Sequence, residues 1–142
     1  MTKVLFICSG NTCRSPMAEY ILRKKHPDFE VKSKGIIARI GEPASEHAVT
    51  ICKNNGIDLS QHKAEQISVE DFKHFDLILP MTVNHLNFLS EEQPSGSKAK
   101  IILLLDYTLN EVKDIPDPYL KDQKSYEEIY EILDNALNKI TS

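Results

Sequence analysis

The feature that most constrains the fold is a short loop between an apolar run and a helix start led by proline. The run Val4-Leu5-Phe6-Ile7 is uninterrupted and indicates a buried parallel strand. Pro16, a residue type suited to the first turn of a helix, follows shortly after the loop. Cys8 therefore ends a strand and faces a helix N-terminus, which is where open α/β sheets bind their ligands.

The loop has the composition of an anion-binding site. Five residues separate Cys8 from Arg14, and a loop of that length can turn its backbone N–H groups toward a tetrahedral anion. The same positive field favours the nucleophilic thiolate. Gly10 and Asn11 are the residue types that best tolerate the positive φ of such a loop. A thiolate below this cradle, with an arginine fork for two oxygens, suits phosphoryl transfer through a phosphocysteine.

Chance alone often places an arginine six residues after a cysteine, and such a pair usually means a buried thiol and a surface arginine. Here the pair lies between a clear strand and a clear helix start. That context favours the functional interpretation.

Composition and charge limit the remaining classes. The chain has 142 residues and a formal net charge of −4, which fits one domain and gives no basic footprint for nucleic acid. No apolar segment approaches the length of a membrane span, and the N-terminus lacks a signal-peptide layout. Three cysteines, an odd number, indicate a reducing cytoplasm without a disulfide framework. We expect one cytoplasmic domain over residues 1–142.

Predicted strands alternate with predicted helices along the chain. Apolar runs predict four strands, over residues 4–7, 29–33, 76–79 and 100–105. Apolar periodicity and end signals predict four helices, over residues 15–25, 43–56 and 83–89 and from residue 125 onward. Ser125 and Glu128 have the spacing of a capping box for the last helix. The alternation predicts an α/β fold of three layers, a four-stranded parallel sheet with helices on both faces.

Hydrolysis through a phosphocysteine also needs a proton donor for the leaving group. Asp117 is the candidate, because Pro116 and Pro118 stiffen the backbone on both sides of it. Its carboxyl group could protonate the departing oxygen and later activate water. In isolation, an aspartate between prolines is more often a polar turn residue. Asp114 is a competitor outside the proline bracket, and Tyr119 either walls the cleft or simply packs.

Three further residues near the loop or in the core have alternative roles. Ser15 is predicted to cap the helix, to donate its hydroxyl to the Cys8 sulfur, or to do both. Cys13 shares the loop with Cys8, so an oxidised pair could protect the nucleophile from over-oxidation. Cys52 lies on the apolar face of its helix and is expected to be an inert core residue.

These residues resemble the low-molecular-weight protein-tyrosine-phosphatase family over nearly the whole chain. The resemblance rests on the run from Cys8 to Glu19 and on Asp117-Pro118-Tyr119. It continues through four shorter stretches, at residues 33–35, 56–58, 62–67 and 76–81. The resemblance implies the Rossmann-like phosphotyrosine phosphatase I fold, hydrolysis of phosphotyrosine on proteins, and no metal or other cofactor.

The resemblance also implies roles for individual residues. Cys8 is the nucleophile, Arg14 binds phosphate, and Asp117 is the general acid and base. Asn11 and Ser15 brace the loop, and two loop-support residues join them, Ser33 and His62. The substrate-binding residues are Ser9, Gly10, Asn11, Thr12, Cys13, Ser15 and Tyr119. The expected partners are a phosphorylated protein and phosphate or a similar oxyanion in the loop, with neither nucleic acid nor membrane.

Departures from the family pattern leave the substrate open between two phosphorylated side chains. Tyrosine-specific members usually carry a bulky apolar residue where this chain has Thr12, and often an aromatic in the loop that is Ile36–Ile40 here. Thr12, together with residues 41–45 and 81–82, resembles the protein-arginine-phosphatase branch, where the threonine contributes to selecting phosphoarginine. Tyr119 and the stretch 125–136 resemble the tyrosine branch.

Three other classes share parts of the pattern. A thioredoxin-coupled arsenate reductase has a similar oxyanion loop but needs two further relay cysteines, and the chain has none beyond Cys52. A phosphocysteine carrier of the sugar-transport type would not need Asp117. A non-catalytic phosphate-binding module would tolerate Cys8→Ser without measurable change.

Overall fold

A four-stranded parallel sheet forms the centre of the molecule, in a computed structural model that describes residues 2–141. The strands are β1 Lys3–Cys8, β2 Glu30–Gly35, β3 Leu77–Pro80 and β4 Lys100–Ile101. Their order across the sheet is β2-β1-β3-β4, and every neighbouring pair is parallel. The predicted α/β class and the parallel sheet are therefore confirmed.

Six helices accompany the sheet among residues 2–141. They are α1 Arg14–Lys25, α2 Glu46–Asn54, α3 Val69–His74, α4 Val83–Glu92, α5 Leu104–Leu109 and α6 Gln123–Leu137. Within the same residues, none of the helices is long and apolar enough to cross a membrane.

The side chains of β1 explain the three layers. Successive residues of a strand point to opposite faces of the sheet. Val4 and Phe6 belong to a large apolar cluster shared with α1, α2 and α6, whereas Leu5 and Ile7 belong to a smaller cluster with residues of α3 and α4. Because both faces are covered, the strand is apolar and buried from Val4 onward. Cys8 therefore lies at the carboxyl end of a rigid element.

The prediction for β4 was wrong in its length and in the element after it. Only Lys100 and Ile101 pair with β3, and Leu104 opens α5 instead of continuing the strand. A short buried apolar run does not by itself distinguish a strand from a helix. Leu104 and Leu105 are both buried in the larger core, so burial is the same in either case.

Two helices begin at residues other than those predicted, because side-chain hydrogen bonds cap them. The last helix begins after Asp122, whose carboxylate accepts from the Ser125 backbone N–H at 3.1 Å, so the predicted Ser125–Glu128 capping box was wrong. The second helix begins after Ser45, whose hydroxyl accepts from Ala48 N–H at 3.3 Å, and Pro43 pairs with Lys63 instead. Helix α3 was not predicted, because six residues are too few for a periodic pattern.

Candidate active site

The loop Ser9–Cys13, here called the anion loop, joins the carboxyl end of β1 to the N-terminus of α1. Cys8 is 3% exposed at the end of β1. Within the loop only Asn11 has a positive φ, 59°, so the conformational freedom predicted to matter at Gly10 is not used. An asparagine takes this conformation readily when its side chain has local partners.

Asn11 has an unusually complete set of such partners. Its amide nitrogen donates to the Ser15 hydroxyl and to the Ser33 hydroxyl, each at 2.9 Å. Its side-chain oxygen accepts from the Glu65 backbone N–H at 2.9 Å, and its backbone oxygen accepts from His62 Nε2 at 2.8 Å. The side chain is fully buried, so it braces the loop from behind.

Ser15 contacts the sulfur at the centre of the site. Its Oγ lies 2.8 Å from Cys8 Sγ, and the residue is fully buried. The helix N-cap is Cys13, with no side-chain hydrogen bond at that end, so the predicted N-cap role of Ser15 was wrong. The hydroxyl–sulfur contact, the second predicted role, is present in the geometry.

Gly35 permits the anion loop to rest against β2. A Cβ at this position would lie 2.5 Å from the Ser9 carbonyl oxygen and 3.1 Å from the Asn11 nitrogen. The loop is fastened there, because Ile37 N–H donates to the same Ser9 oxygen at 3.0 Å. The sequence analysis included position 35 only in the stretch 33–35 that carries the resemblance, and it missed this close approach.

Arg14 links the anion loop to the segment that carries Asp117. The guanidinium is 4% exposed and donates to the Ile115 carbonyl oxygen at 2.9 Å. Its second nitrogen lies 3.7 Å from Asp117 Oδ2, and the Asp117 side chain is 55% exposed. Asp117 Oδ1 accepts from the Tyr119 backbone N–H at 2.9 Å, which fixes the carboxylate within its own turn. The competitor Asp114 instead accepts from Val83 N–H at 2.8 Å, at the start of α4.

These residues surround a cavity of about 340 Å³. It brings together most of the predicted site, namely Cys8, Ser9, Gly10, Thr12, Cys13, Arg14, Asp117 and Tyr119. The side chains of Asn11 and Ser15 lie behind the loop, and neither residue lines the cavity. Three residues outside the predicted set also line the cavity, the exposed Ile37, Arg39 and Glu42. Its walls are therefore both aliphatic and aromatic, and its rim carries charges of both signs.

The predicted support residues Ser33 and His62 both contact the back of the loop. Ser33 donates to the Glu19 carboxylate at 2.6 Å. Burial is the main cause that raises the pKa of Glu19, although Arg23 forms an ion pair with it. Burial is also the main cause that lowers the pKa of His62, whose Nε2 donates to the Asn11 backbone oxygen.

His85 is a site neighbour that the sequence analysis missed. Its Nε2 lies 2.8 Å from Ser9 Oγ, although the two residues are 76 positions apart in the chain. Burial, together with the nearby Arg14 charge, lowers the pKa of His85 to about 4, while Asp114 and Asp117 oppose the shift. The available signal was its position in the first turn of a helix that follows a buried strand.

The three cysteines are all free thiols in the structure. Cys13 is buried, and its sulfur lies 3.3 Å from the Tyr126 hydroxyl. Burial raises the pKa of Cys52 to about 12, which agrees with the inert role expected for it. Among residues 2–141, no group of three or more histidine, cysteine, aspartate or glutamate side chains is arranged to hold a metal ion.

The sequence of the chain is similar to those of known proteins. A family model described as low molecular weight phosphotyrosine protein phosphatase matches residues 3–142. The chain is 35% identical to the low molecular weight protein-tyrosine-phosphatase Etp of Escherichia coli K12, over 94% of this chain and 88% of the relative. It is 39% identical to the phosphatase Ptp of Acinetobacter johnsonii, over 88% of this chain and 85% of the relative.

Solved structures show the same fold. The low molecular weight protein tyrosine phosphatase of T. tengcongensis superposes with a TM-score of 0.92 at 39% identity, covering 98% of this chain and 97% of that one. The YwlE arginine phosphatase of Geobacillus stearothermophilus gives 0.92 at 34% identity, covering 98% and 90%. The phosphatase Wzb of Escherichia coli K30, solved in complex with sulphate, gives 0.87 at 32% identity, covering 96% and 93%.

Proposed function

Because the chain belongs to the low molecular weight phosphotyrosine protein phosphatase family, and is therefore a hydrolase, we propose that Cys8, Arg14 and Asp117 carry its reaction. The observation that supports this most is that all three line one cavity, with Arg14 3.7 Å from Asp117. In this proposal the anion loop binds phosphate or a similar oxyanion. The substrate proposed first is phosphotyrosine on a protein.

Cys8 is the nucleophile in this proposal. Its thiolate attacks phosphorus, the bond to the leaving oxygen breaks, and a phosphocysteine forms. Loop N–H groups and the first turn of α1 surround the sulfur with positive potential. The Ser15 hydroxyl at 2.8 Å steadies the thiolate before attack and again when it departs. The bonds made by Asn11 hold the loop in place, so little reorganisation accompanies the transfer.

Arg14 binds the transferred phosphoryl group. A guanidinium has five N–H donors in one plane, and the bond to the Ile115 carbonyl uses one of them. The remaining edge is available for two phosphate oxygens in a bidentate arrangement. The Ile115 bond orients the fork, since Arg14 is almost fully buried and has little freedom to turn.

Asp117 moves the protons. In the first step its carboxylic acid gives a proton to the leaving oxygen, and in the second the carboxylate takes one from the water that attacks the phosphocysteine. Inorganic phosphate is then released, and the free thiolate is regenerated. The partly exposed position of Asp117 supports both steps, since the leaving group exits and water enters on that side.

Phosphoarginine on a protein is the second candidate substrate. Thr12 lines the cavity, and Ile37 stands where an aromatic wall would favour a phosphorylated ring. Tyr119, 65% exposed at the rim, supports phosphotyrosine because a ring can stack against it. We also place the protein in the cytoplasm, which its odd number of cysteines supports.

The arsenate-reductase alternative finds little support. It needs two relay cysteines in a mobile segment, whereas Cys52 is buried in the larger core. Cys13 belongs to the anion loop itself.

Hydrolysis of a generic aryl phosphate by wild type, Cys8→Ser and Asp117→Asn tests the proposal. We expect Cys8→Ser to fall to background and Asp117→Asn to lose about 10²–10⁴ in kcat. A phosphocysteine carrier would tolerate Asp117→Asn, and a phosphate-binding module would show no turnover at all. Full activity of Cys8→Ser would refute the nucleophile.

Peptides carrying phosphotyrosine or phosphoarginine then rank the two substrates by kcat/KM. Thr12→Ile should move the ratio toward phosphotyrosine. An unchanged ratio would reject Thr12 as the selector.

A further inference from the structure

His85 contacts one side chain of the anion loop, Ser9. Thr82 caps α4 and accepts from the His85 backbone N–H at 3.1 Å, which fixes the residue in the first helical turn. The ring points back to the sheet edge and meets Ser9 Oγ at 2.8 Å. Ser9 lines the cavity beside Cys8, whereas His85 is 4% exposed and does not line it.

The two ring nitrogens of His85 are in different surroundings. Nε2 faces the Ser9 hydroxyl, but Nδ1 is buried and has no hydrogen-bond partner among the described residues. A proton on Nδ1 would be a buried donor without an acceptor, which is rarer in proteins than an unused lone pair. A proton on Nε2 has an acceptor at once, the Ser9 oxygen.

We propose that His85 is a positioning residue that makes Ser9 a dedicated donor to the bound oxyanion. The neutral ring carries its proton on Nε2 and donates it to Ser9 Oγ. Since Ser9 Oγ already accepts from the ring, its own hydrogen cannot point toward His85 and turns into the cavity. There it adds one side-chain donor to the N–H groups of the anion loop.

Charge around the ring favours this arrangement. A protonated ring would place a second cation beside the buried Arg14. The Asp114 and Asp117 carboxylates favour a protonated ring, but they act only from the helix start and from the partly exposed rim. A neutral ring leaves Arg14 as the cationic side chain at the loop. Phosphate in the loop is then held by Arg14 and by neutral donors from backbone and Ser9.

The first test reads the proton itself. Nitrogen-15 chemical shifts of the ring, assigned by loss of the signals in His85→Gln, distinguish the two neutral tautomers from the imidazolium. We expect a neutral ring protonated at Nε2 at neutral pH, with or without inorganic phosphate. A proton on Nδ1, or an imidazolium, would overturn the proposal.

The second test measures competitive inhibition of aryl-phosphate hydrolysis by inorganic phosphate in a double-mutant cycle. Ser9→Ala and His85→Leu should each weaken phosphate by about 3- to 10-fold, the size of one hydrogen bond. The double variant should be no weaker than the single ones, because both remove the same donor. His85→Gln, whose amide nitrogen can reach Ser9, should stay within about 2-fold of wild type. An undiminished effect of His85→Leu in the Ser9→Ala background would show a merely structural role and refute the coupling.

A matched control is His74→Leu, which removes an exposed histidine at the end of α3. It should leave phosphate inhibition unchanged. The inference rests on the proposed function only in that phosphate binds in the anion loop. If Cys8→Ser keeps activity, the nucleophile is wrong but the ring proton can still be measured. If the tautomer is wrong while Cys8→Ser is inactive, only the role of His85 falls.

Discussion

Gly35→Ala is the substitution that most directly tests how the anion loop is supported. The added methyl group would lie 2.5 Å from the Ser9 oxygen, whereas ordinary contacts begin at 3.4 Å, so backbone must separate by about 1 Å. The contacted atoms are backbone and cannot swing aside. Overpacking of this kind costs about 1–3 kcal/mol in the free energy of unfolding. A displacement of about 1 Å in the catalytic geometry lowers the rate by about 10²-fold.

The assay pairs denaturant unfolding with aryl-phosphate hydrolysis. We expect kcat/KM to fall by about 10²-fold while the variant still unfolds in one cooperative transition. Gly10→Ala is the comparison for stability, because its Cβ would meet nothing closer than the Thr12 hydroxyl at 3.9 Å and its φ is not positive. Its free energy of unfolding should be unchanged or slightly higher. Normal activity of Gly35→Ala would refute the reasoning, because the loop would then not depend on that close approach.

Three further outcomes are expected from the geometry of the site. The pKa of His85 is about 4 in the fold against an ordinary 6.5, so the unfolded chain takes up this proton first as the pH falls. Wild type should therefore lose about 3 kcal/mol of unfolding free energy between those two pH values, and denaturant titrations of His85→Gln should lack that loss. Asn11→Ala should lower kcat/KM for aryl-phosphate hydrolysis by about 10²-fold, since the loop loses its brace. A much smaller fall in that assay would contradict the bracing role of Asn11. Mild peroxide should join Cys8 to Cys13, a loss of two hydrogens by intact mass, and a mass that instead gains oxygen would contradict the protective pair.

Hydrophobic runs and residue types predicted the parts of the fold that depend on neighbouring residues in the chain. The apolar run before Cys8 is a buried strand because both faces of β1 are covered, and its composition reports that burial directly. The Asn11 conformation followed from residue type. At Leu104 the same reasoning failed, because burial alone makes an apolar run and the backbone can be helical or extended there.

Two contacts between distant segments were not predicted from the sequence. The pairing of Ser9 with His85 depends on where β3 ends and on how α4 begins. The need for glycine at position 35 depends on the register of β2 against β1, in which Cys8 is opposite Gly35. Neither His85 nor Gly35 has a recognisable sequence spacing from the residues it contacts, so the sequence alone does not indicate these contacts.

The ties of Asn11 also bear on the order in which the protein acquires activity. Its partners Ser33, His62 and Glu65 come from segments 22, 51 and 54 residues away, and closing such spans is a slow event in folding. A partly assembled chain with β1 and α1 alone lacks all three. Recovery of activity after dilution from denaturant should thus coincide with the last cooperative folding phase. Chains truncated before residue 65 should have no activity.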